Sequence, residues 1–489
     1  MFTLEDVLEG TGGSLDEASA ALAKTGLTFD RVAIDSRKAQ GGALFVALRG
    51  ERFDGHDYVL DAAGHGARGA LVRYEWQAPD ALLTPTSRVP DTHSVDTRVL
   101  SPQSSILSTP IALVRVEDPL SALQRFAAWW RARHEVQVIG ITGSVGKTST
   151  KEVTASVLAR CFETLRNEGN LNNEVGLPLT LLRLTPDHRK AVLEMGAGYV
   201  LGELTMLCEI ARPEIAVVLN IYPVHLERMG TIENIALNKS ELVRSLPASG
   251  TAVLNGDDPR VRDMRRATAA RVLFYGLGGD HDIYATDIES RGLRGVSFTL
   301  HFRPTGRSWS VRLPLLGRHS VHTALAAAGA AHAAGMSWED IREALQALDT
   351  QVRLLVVPGY NGSTLIDDTY NASPASTLAA LDLLEEVEGR RIAVLGDMLE
   401  LGSYEQEGHL EVGRRAGGVA GVLVLVGSLG RLIGEEALRL GMAPERVFFA
   451  TGNGQVIDYL RERLLPGDYV LVKGSRGLRM EEIVDGLRA

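Results

Sequence analysis

Val136-Gln-Val-Ile-Gly-Ile-Thr142 runs apolar and β-branched, then stops at Gly143-Ser-Val-Gly-Lys-Thr148. Val153, Val157 and Cys161 follow at helical spacing. Strand, glycine loop, helix is the order that a phosphate cradle needs. Glycines let backbone N–H groups turn toward an anion, and the helix start adds partial positive charge. Lys147 is placed to reach the outer phosphates, and Thr148 to offer its hydroxyl to Mg²⁺. The nucleotide-binding run takes in Thr142, Gly143, Ser144, Val145, Gly146, Lys147, Thr148 and Ser149. The strict pattern has a glycine where this chain has Ile141, so the loop is a shortened variant.

At 489 residues the chain is too long for one ordinary core, and two to four domains are expected. Hydrophobic content of 45% and charged content of 23% are those of a soluble globular protein. A net charge of −10 argues against a nucleic-acid or anionic-membrane partner, because a phosphate backbone calls for a basic face. One loop and a metal ion still supply enough local positive charge for a nucleotide. Two cysteines, Cys161 and Cys208, both in apolar or helical contexts, suggest a reducing compartment without a disulfide framework or zinc site. The first residues, Met1-Phe-Thr-Leu-Glu-Asp6, have no signal-peptide pattern, and no apolar run has membrane-spanning length. A cytoplasmic protein is expected, without stable membrane insertion and as a monomer.

The fold class is α/β in three domains. A small mixed N-terminal domain covers 1–118, with strands at Arg31–Ile34, Ala43–Leu48 and Ala70–Val72 and a helix over Tyr58–Gly64. Residues 77–110, rich in Ser, Thr and Pro, read as a flexible insertion. A connector helix, Leu120 to His134, opens the central domain, 119–349. Beyond the loop helix, strands are expected at Ala191–Leu193 and Ile215–Leu219. From Thr251 to Leu316 short alternating strands follow, including Val272–Tyr275, Val296–Phe302 and Trp309–Leu313, closed by a helix over Val321–Ala334, so the central domain is expected to be a P-loop ATPase-like parallel sheet with a small antiparallel part. Residues 350–489 alternate regularly between strands and helices, from Thr364–Ile366 to Tyr469–Val472. That pattern predicts a doubly wound, Rossmann-like parallel sheet with right-handed crossovers.

Other residues invite chemistry. Glu194, past a buried-looking strand and ahead of Gly196, is placed to hold Mg²⁺, or is an exposed turn acid. His225 touches metal or phosphate, or is a solvated imidazole; the sequence leaves both open. Spacing gives Lys239 no role beyond that of a surface helix lysine. Asn167, Asn170, Asn172 and Asn173 form a dense amide run. Asp367-Asp-Thr-Tyr-Asn371 ends the leading strand of the last sheet, the customary ligand edge, or forms a cap cluster ahead of Pro374.

Taken together, the chain resembles the Mur ligases through all three domains. The resemblance is carried by Asp35-Ser-Arg37, Gly42-Ala-Leu-Phe-Val-Ala-Leu48, Asp54-Gly-His56 and Thr142–Thr148. It continues through Asn170-Leu-Asn-Asn-Glu-Val-Gly-Leu-Pro-Leu-Thr180, Glu194-Met-Gly196, Asp367–Asn371, Gly396-Asp-Met-Leu-Glu-Leu-Gly402 and Lys473-Gly-Ser-Arg476. The amide phrase and Asp367–Asn371 are similar to the member that adds a dipeptide.

The resemblance implies an ATP- and Mg²⁺-dependent ligase joining D-alanyl-D-alanine to UDP-N-acetylmuramoyl-tripeptide through an acyl phosphate. It implies UDP binding around Ser36 and Arg37, and substrate contacts from Asn170, Asn172 and Asn173. Lys147, His225 and Lys239 would be catalytic, with Lys239 carried as a carbamate; Thr148, Glu194, His225 and Lys239 would hold metal. Asn255 falls on the adenine side, and Arg353 and Asp368 meet phosphate and ribose on closure. The chain departs from the family at Ser320 and Thr323, where the family has amides, and at Asn167, where threonine is common. The alternatives are another Mur-type ligase with a different amine, or a P-loop regulatory NTPase. A dinucleotide-dependent oxidoreductase is disfavoured, because the last domain lacks Gly-x-Gly-x-x-Gly after its first strand.

Overall fold

A computed structural model describes residues 1–79, 82, 111–196, 200–349 and 354–489. Arg353 lies outside them, as does the expected insertion at 77–110 apart from residues 77–79 and Leu82. The chain divides into two compact units. One holds Met1–Val136, Asn170–His188 and Glu209–Ala211; the other holds the rest.

In the first unit, β1 (Phe2–Thr3) and β3 (Thr28–Phe29) form a short antiparallel pair. A five-stranded sheet runs β2 (Ser14–Leu15), β7 (Ala112–Val116), β6 (Gly69–Arg73), β5 (Leu44–Val46), β4 (Val32–Ala33). Neighbours from β4 to β7 are parallel, and β2 is antiparallel to β7. The sequence reading found β4, β5 and β6 and the helix Val59–His65, each within a residue or two. It missed the helix Leu4–Thr11, whose eight residues are too few for a clear period. Thr3 starts that helix through a capping box with Asp6.

The connector helix spans Pro119–Ala132, started by Asp118 accepting from the Ser121 amide. It buries Leu123, Phe126 and Ala127, and Phe2 packs edge-on against Phe126 and Trp130.

The second unit has two sheets. The larger is ordered β16 (Arg307–Leu313), β15 (Val296–Phe302), β14 (Ile283–Ser290), β13 (Arg271–Gly276), β12 (Thr251–Asn255), β11 (Ile215–Val218), β8 (Gln137–Thr142), β10 (Lys190–Glu194), β9 (Thr164–Arg166). Parallel pairing runs from β9 to β14, and the last two pairings are antiparallel. The expected alternating region from Thr251 is therefore corrected: β12 and β13 continue the parallel sheet, and only β14 to β16 form a meander. β12, buried from Ala252 to Asn255, carries no alternation at all. The loop helix spans Lys147–Leu158 and packs under the helix Ser320–Ala333. Cys161 falls beyond its end and is exposed, so it does not continue the helical stripe; Cys208 is buried.

The smaller sheet is ordered β17 (Leu355–Pro358), β18 (Thr364–Asp367), β22 (Tyr469–Lys473), β19 (Arg391–Gly396), β20 (Val422–Val426), β21 (Val447–Ala450). All pairings but β17–β18 are parallel, as the strand–helix alternation predicts. β17, antiparallel at the edge, was not foreseen. Apolar clusters lie on both faces of this sheet.

Phe126 is fully buried. Phe126→Ala is expected to destabilise the first unit by about 3–5 kcal/mol. Denaturant unfolding followed by tryptophan fluorescence checks this through Trp129 and Trp130; an unmoved first transition contradicts it.

Candidate active site

β8 is the point where the strand order reverses: β9 and β10 lie on one side of it, β11 and β12 on the other. The crevice at the carboxyl ends of such strands is where open α/β sheets bind ligands. Register sets Glu194 beside Ile141 and Val218 beside Thr142, so three loops leave the sheet at one level.

The first of these is the glycine loop. A Cβ on Gly143 would sit 2.8 Å from the Leu219 Cβ, and Gly146 has φ 86°, so both glycines are required. The loop is tied to the segment after β11. Asn220 Oδ1 accepts from the Val145 amide at 2.8 Å, and its Nδ2 donates to the Val145 carbonyl at 3.0 Å. Ser144 Oγ donates to the Tyr222 carbonyl and accepts from the Tyr222 amide. Gly146, at the helix cap, has no side chain to cap with, an arrangement suited to an anion. Lys147 Nζ donates to the carbonyls of Gly143 (2.8 Å) and Ser144 (3.1 Å).

Glu194, at the end of β10, is buried, which removes the exposed-turn reading. Its Oε2 accepts from Thr148 Oγ1 at 2.6 Å. Asn167 fixes its backbone: Oδ1 accepts from the Glu194 amide at 3.0 Å, and Nδ2 donates to the Glu194 carbonyl at 2.9 Å. Lys151, fully buried, donates to the Asn167 carbonyl. Thr142 Oγ1 donates to the Met195 carbonyl. Asn167, which the sequence marks as part of an amide run and as a departure from the family, therefore positions the acid.

Lys239 is not a surface lysine. It lies on the buried face of the helix Ile232–Arg244, 3% exposed, with Nζ donating to Asn238 Oδ1 at 3.1 Å. Burial, with the charge of Lys147 behind it, brings its pKa down to about 7. Gly143, Ser144, Lys147, His225, Asn238 and Lys239 line one cleft. His225 is held at φ 56°, and its Nδ1 lies 2.6 Å from Glu400 Oε2, itself at φ 64°. Such a conformation costs a non-glycine residue ~1–3 kcal/mol, which the surrounding contacts must offset. Burial lowers the His225 pKa and Lys147 adds to this, while Glu400 pulls the other way.

The donors fit magnesium. A threonine hydroxyl and a carboxylate at the loop are hard oxygen ligands, whereas an amine such as Lys239 joins them only once carbamylated. Among the described residues no group of three or more His, Cys, Asp or Glu forms a protein-only cage. An ion held by one or two carboxylates and nucleotide phosphates needs none.

The remaining candidates are not among the residues that line this cleft. Asn255 ends β12, its Nδ2 donating to the Leu219 carbonyl and its Oδ1 accepting from the Asp257 amide. Asp257 accepts from His281 and His322, whose hydrogen bonds keep its pKa low although burial alone would raise it. Ser320 is turned inward to the Leu316 carbonyl and Thr323 is half-buried. Asp368 receives Lys473 Nζ at 2.5 Å at the carboxyl edge of the smaller sheet. Asp367–Asn371 does not cap the helix that starts at Pro374: Ser373 does, paired with Ser376. Ser36, Arg37, Asn170, Asn172 and Asn173 all belong to the first unit. There Ser36 is buried, Arg37 is exposed and paired with Asp35, and Asn173 accepts from the Gly176 amide.

Three family models match. The Mur ligase family catalytic domain covers residues 28–128, the Mur ligase middle domain 141–331, and the Mur ligase glutamate ligase domain 352–476. The UDP-N-acetylmuramoyl-tripeptide–D-alanyl-D-alanine ligase of Escherichia coli is 35% identical over 474 residues, 94% of each chain. The Bacillus subtilis protein of the same name is 35% identical over 460 residues, 93% of this chain and 92% of its own. Among solved structures, MurF from Acinetobacter baumannii superposes with TM-score 0.82 at 31% identity, covering 99% of this chain and 98% of that one. MurF from Thermotoga maritima, crystallised with ADP, gives 0.75 at 27% identity, covering 94% and 97%. With matching models on all three parts of the chain and relatives over nearly its whole length, the chain belongs to the Mur ligase family.

Proposed function

We infer that the chain is an ATP-dependent amide ligase that adds D-alanyl-D-alanine to UDP-N-acetylmuramoyl-tripeptide, using Mg²⁺. The full-length likeness to relatives carrying that activity in their names gives the substrates. One observation carries the chemistry: the glycine loop, Glu194 and a buried Lys239 of lowered pKa gather at the carboxyl edge of β8.

A carboxylate is too poor an electrophile to form an amide unaided. The tripeptide carboxylate oxygen attacks the γ-phosphorus of ATP, and ADP leaves with the electrons of the broken P–O bond. The dipeptide amine then attacks the carbonyl carbon of the acyl phosphate; the C–O bond breaks, phosphate leaves, and the amine proton passes to solvent or phosphate. Bound Mg²⁺ neutralises phosphate charge. Lys147, released from its own loop's carbonyls, bears on the transferring phosphoryl group, so that catalysis is mainly positioning and charge stabilisation. Thr148, Glu194 and carbamylated Lys239 would hold the metal, with His225 near it. The lowered pKa of Lys239 raises the share of uncharged amine at neutral pH, the form that takes up carbon dioxide.

The reading assigns residues 1–118 to the UDP end, with Ser36 and Arg37 at its nucleotide. It assigns 119–349 to ATP, with Asn255 toward the base and Asn170, Asn172 and Asn173 toward the UDP substrate. Residues 350–489 bring the dipeptide, with Arg353 and Asp368 serving the nucleotide. The protein works as a monomer in the cytoplasm, which supplies its ATP. No helix among the described residues is long and apolar enough to cross a membrane.

Incubation with UDP-muramoyl-tripeptide, D-alanyl-D-alanine and ATP is expected to give pentapeptide, ADP and phosphate in equal amounts. ATP turnover that ignores both substrates points instead to a regulatory NTPase, and a different preferred amine to another ligase. Lys147→Ala should lower kcat by about 10²–10³-fold while calorimetry still detects the UDP substrate. Lys239→Ala should be nearly inactive and regain activity with millimolar short carboxylates; full activity without them removes the carbamate. Asn167→Ala should cost about 1–3 kcal/mol of stability and raise the Mg²⁺ concentration needed for half-maximal rate, which a magnesium titration reads.

A further inference from the structure

The loop after β19 reaches the loop after β11, two segments that begin on different sheets. Glu400 Oε2 lies 2.6 Å from His225 Nδ1. Two residues on, the backbones interlock: a Cβ on Gly402 would sit 2.8 Å from the Glu227 nitrogen and 3.1 Å from the Leu226 carbonyl carbon. His225 and Glu400 both hold left-handed backbone conformations, each turned out of its own loop toward the other.

We propose that Glu400 is a positioning residue: from the smaller sheet it fixes the tautomer and orientation of His225, so that the phosphate cleft is complete only when the two sheets are docked. A carboxylate only accepts hydrogen bonds, so the proton sits on Nδ1 and the lone pair on Nε2 is left for a ligand. Metal-binding histidines are commonly oriented by just such an outer carboxylate. Here the orienting group comes from 175 residues away in sequence and from another sheet. Docking of the smaller sheet and readiness of the cleft are thereby one event, which keeps an incomplete molecule from spending ATP on water. The proposal rests on the ligase reading for the role of His225, and on geometry alone for its link to Glu400.

The test uses the full-length protein with ¹⁵N-labelled histidine and a kinetic assay. In ligand-free protein the His225 Nδ1–H resonance, assigned by its loss in His225→Ala, should persist in Glu400→Gln, which keeps an acceptor. It should vanish in Glu400→Ala and in Gly402→Val, which forces the loops apart. In the pentapeptide assay, Glu400→Ala should lower kcat about 10–100-fold with KM for the dipeptide little changed, and Glu400→Gln should recover most of the rate. An unaltered His225 resonance in Glu400→Ala, or a wild-type kcat in that variant, overturns the proposal. Absence of pentapeptide product from the wild type would fell the ligase reading instead, leaving the resonance to decide the contact.

Discussion

Everything at this site depends on one side-chain amide. Asn220 both accepts from and donates to the backbone of Val145, and so holds the glycine loop to the end of the neighbouring strand. A loop of this kind works because its N–H groups are already aimed before the anion arrives; otherwise binding would have to order them. Two hydrogen bonds to one backbone unit, backed by the Ser144–Tyr222 pair, supply that order from β11 rather than from within the loop.

The same device recurs on the other side of β8. Asn167 grips the amide and carbonyl of Glu194 as Asn220 grips those of Val145, and each amide reaches across from an adjacent strand or loop. Fixing the backbone aims the carboxylate, whose Oε2 accepts from Thr148. The cost of burying these polar groups is offset because each is fully paired. Lys239 differs in its charge state: buried beside Lys147, it gives up its proton more readily than an exposed lysine would.

What the sequence disclosed follows the range over which its information acts. The strand–loop–helix at 136–158 and the alternation from Thr364 to Lys473 are local patterns, and both appear where expected. Glu194 and His225 were legible as residues just past buried strands. Asn220 was not, because its partner lies 75 residues away; Asn167 stood out only within its amide run, its partner being 27 residues away. Lys239 looked like any helix lysine, since Ile235 and Leu242 on its helix do not reveal which neighbouring side chains face the core. The alternation expected from Thr251 starts later than β12 for the related reason that burial on both faces is a property of the sheet, not of the strand.

The pairing of His225 with Glu400 also bears on how the molecule is made. Glu400 follows His225 by 175 residues, so this contact has to wait until the chain between them exists. During synthesis the glycine loop, Glu194 and Lys239 emerge long before Glu400 does, so a ribosome-bound chain can fold its larger sheet and still lack the partner that orients the imidazole. The order of translation thus places the finishing touch on the cleft in the final fifth of the polypeptide.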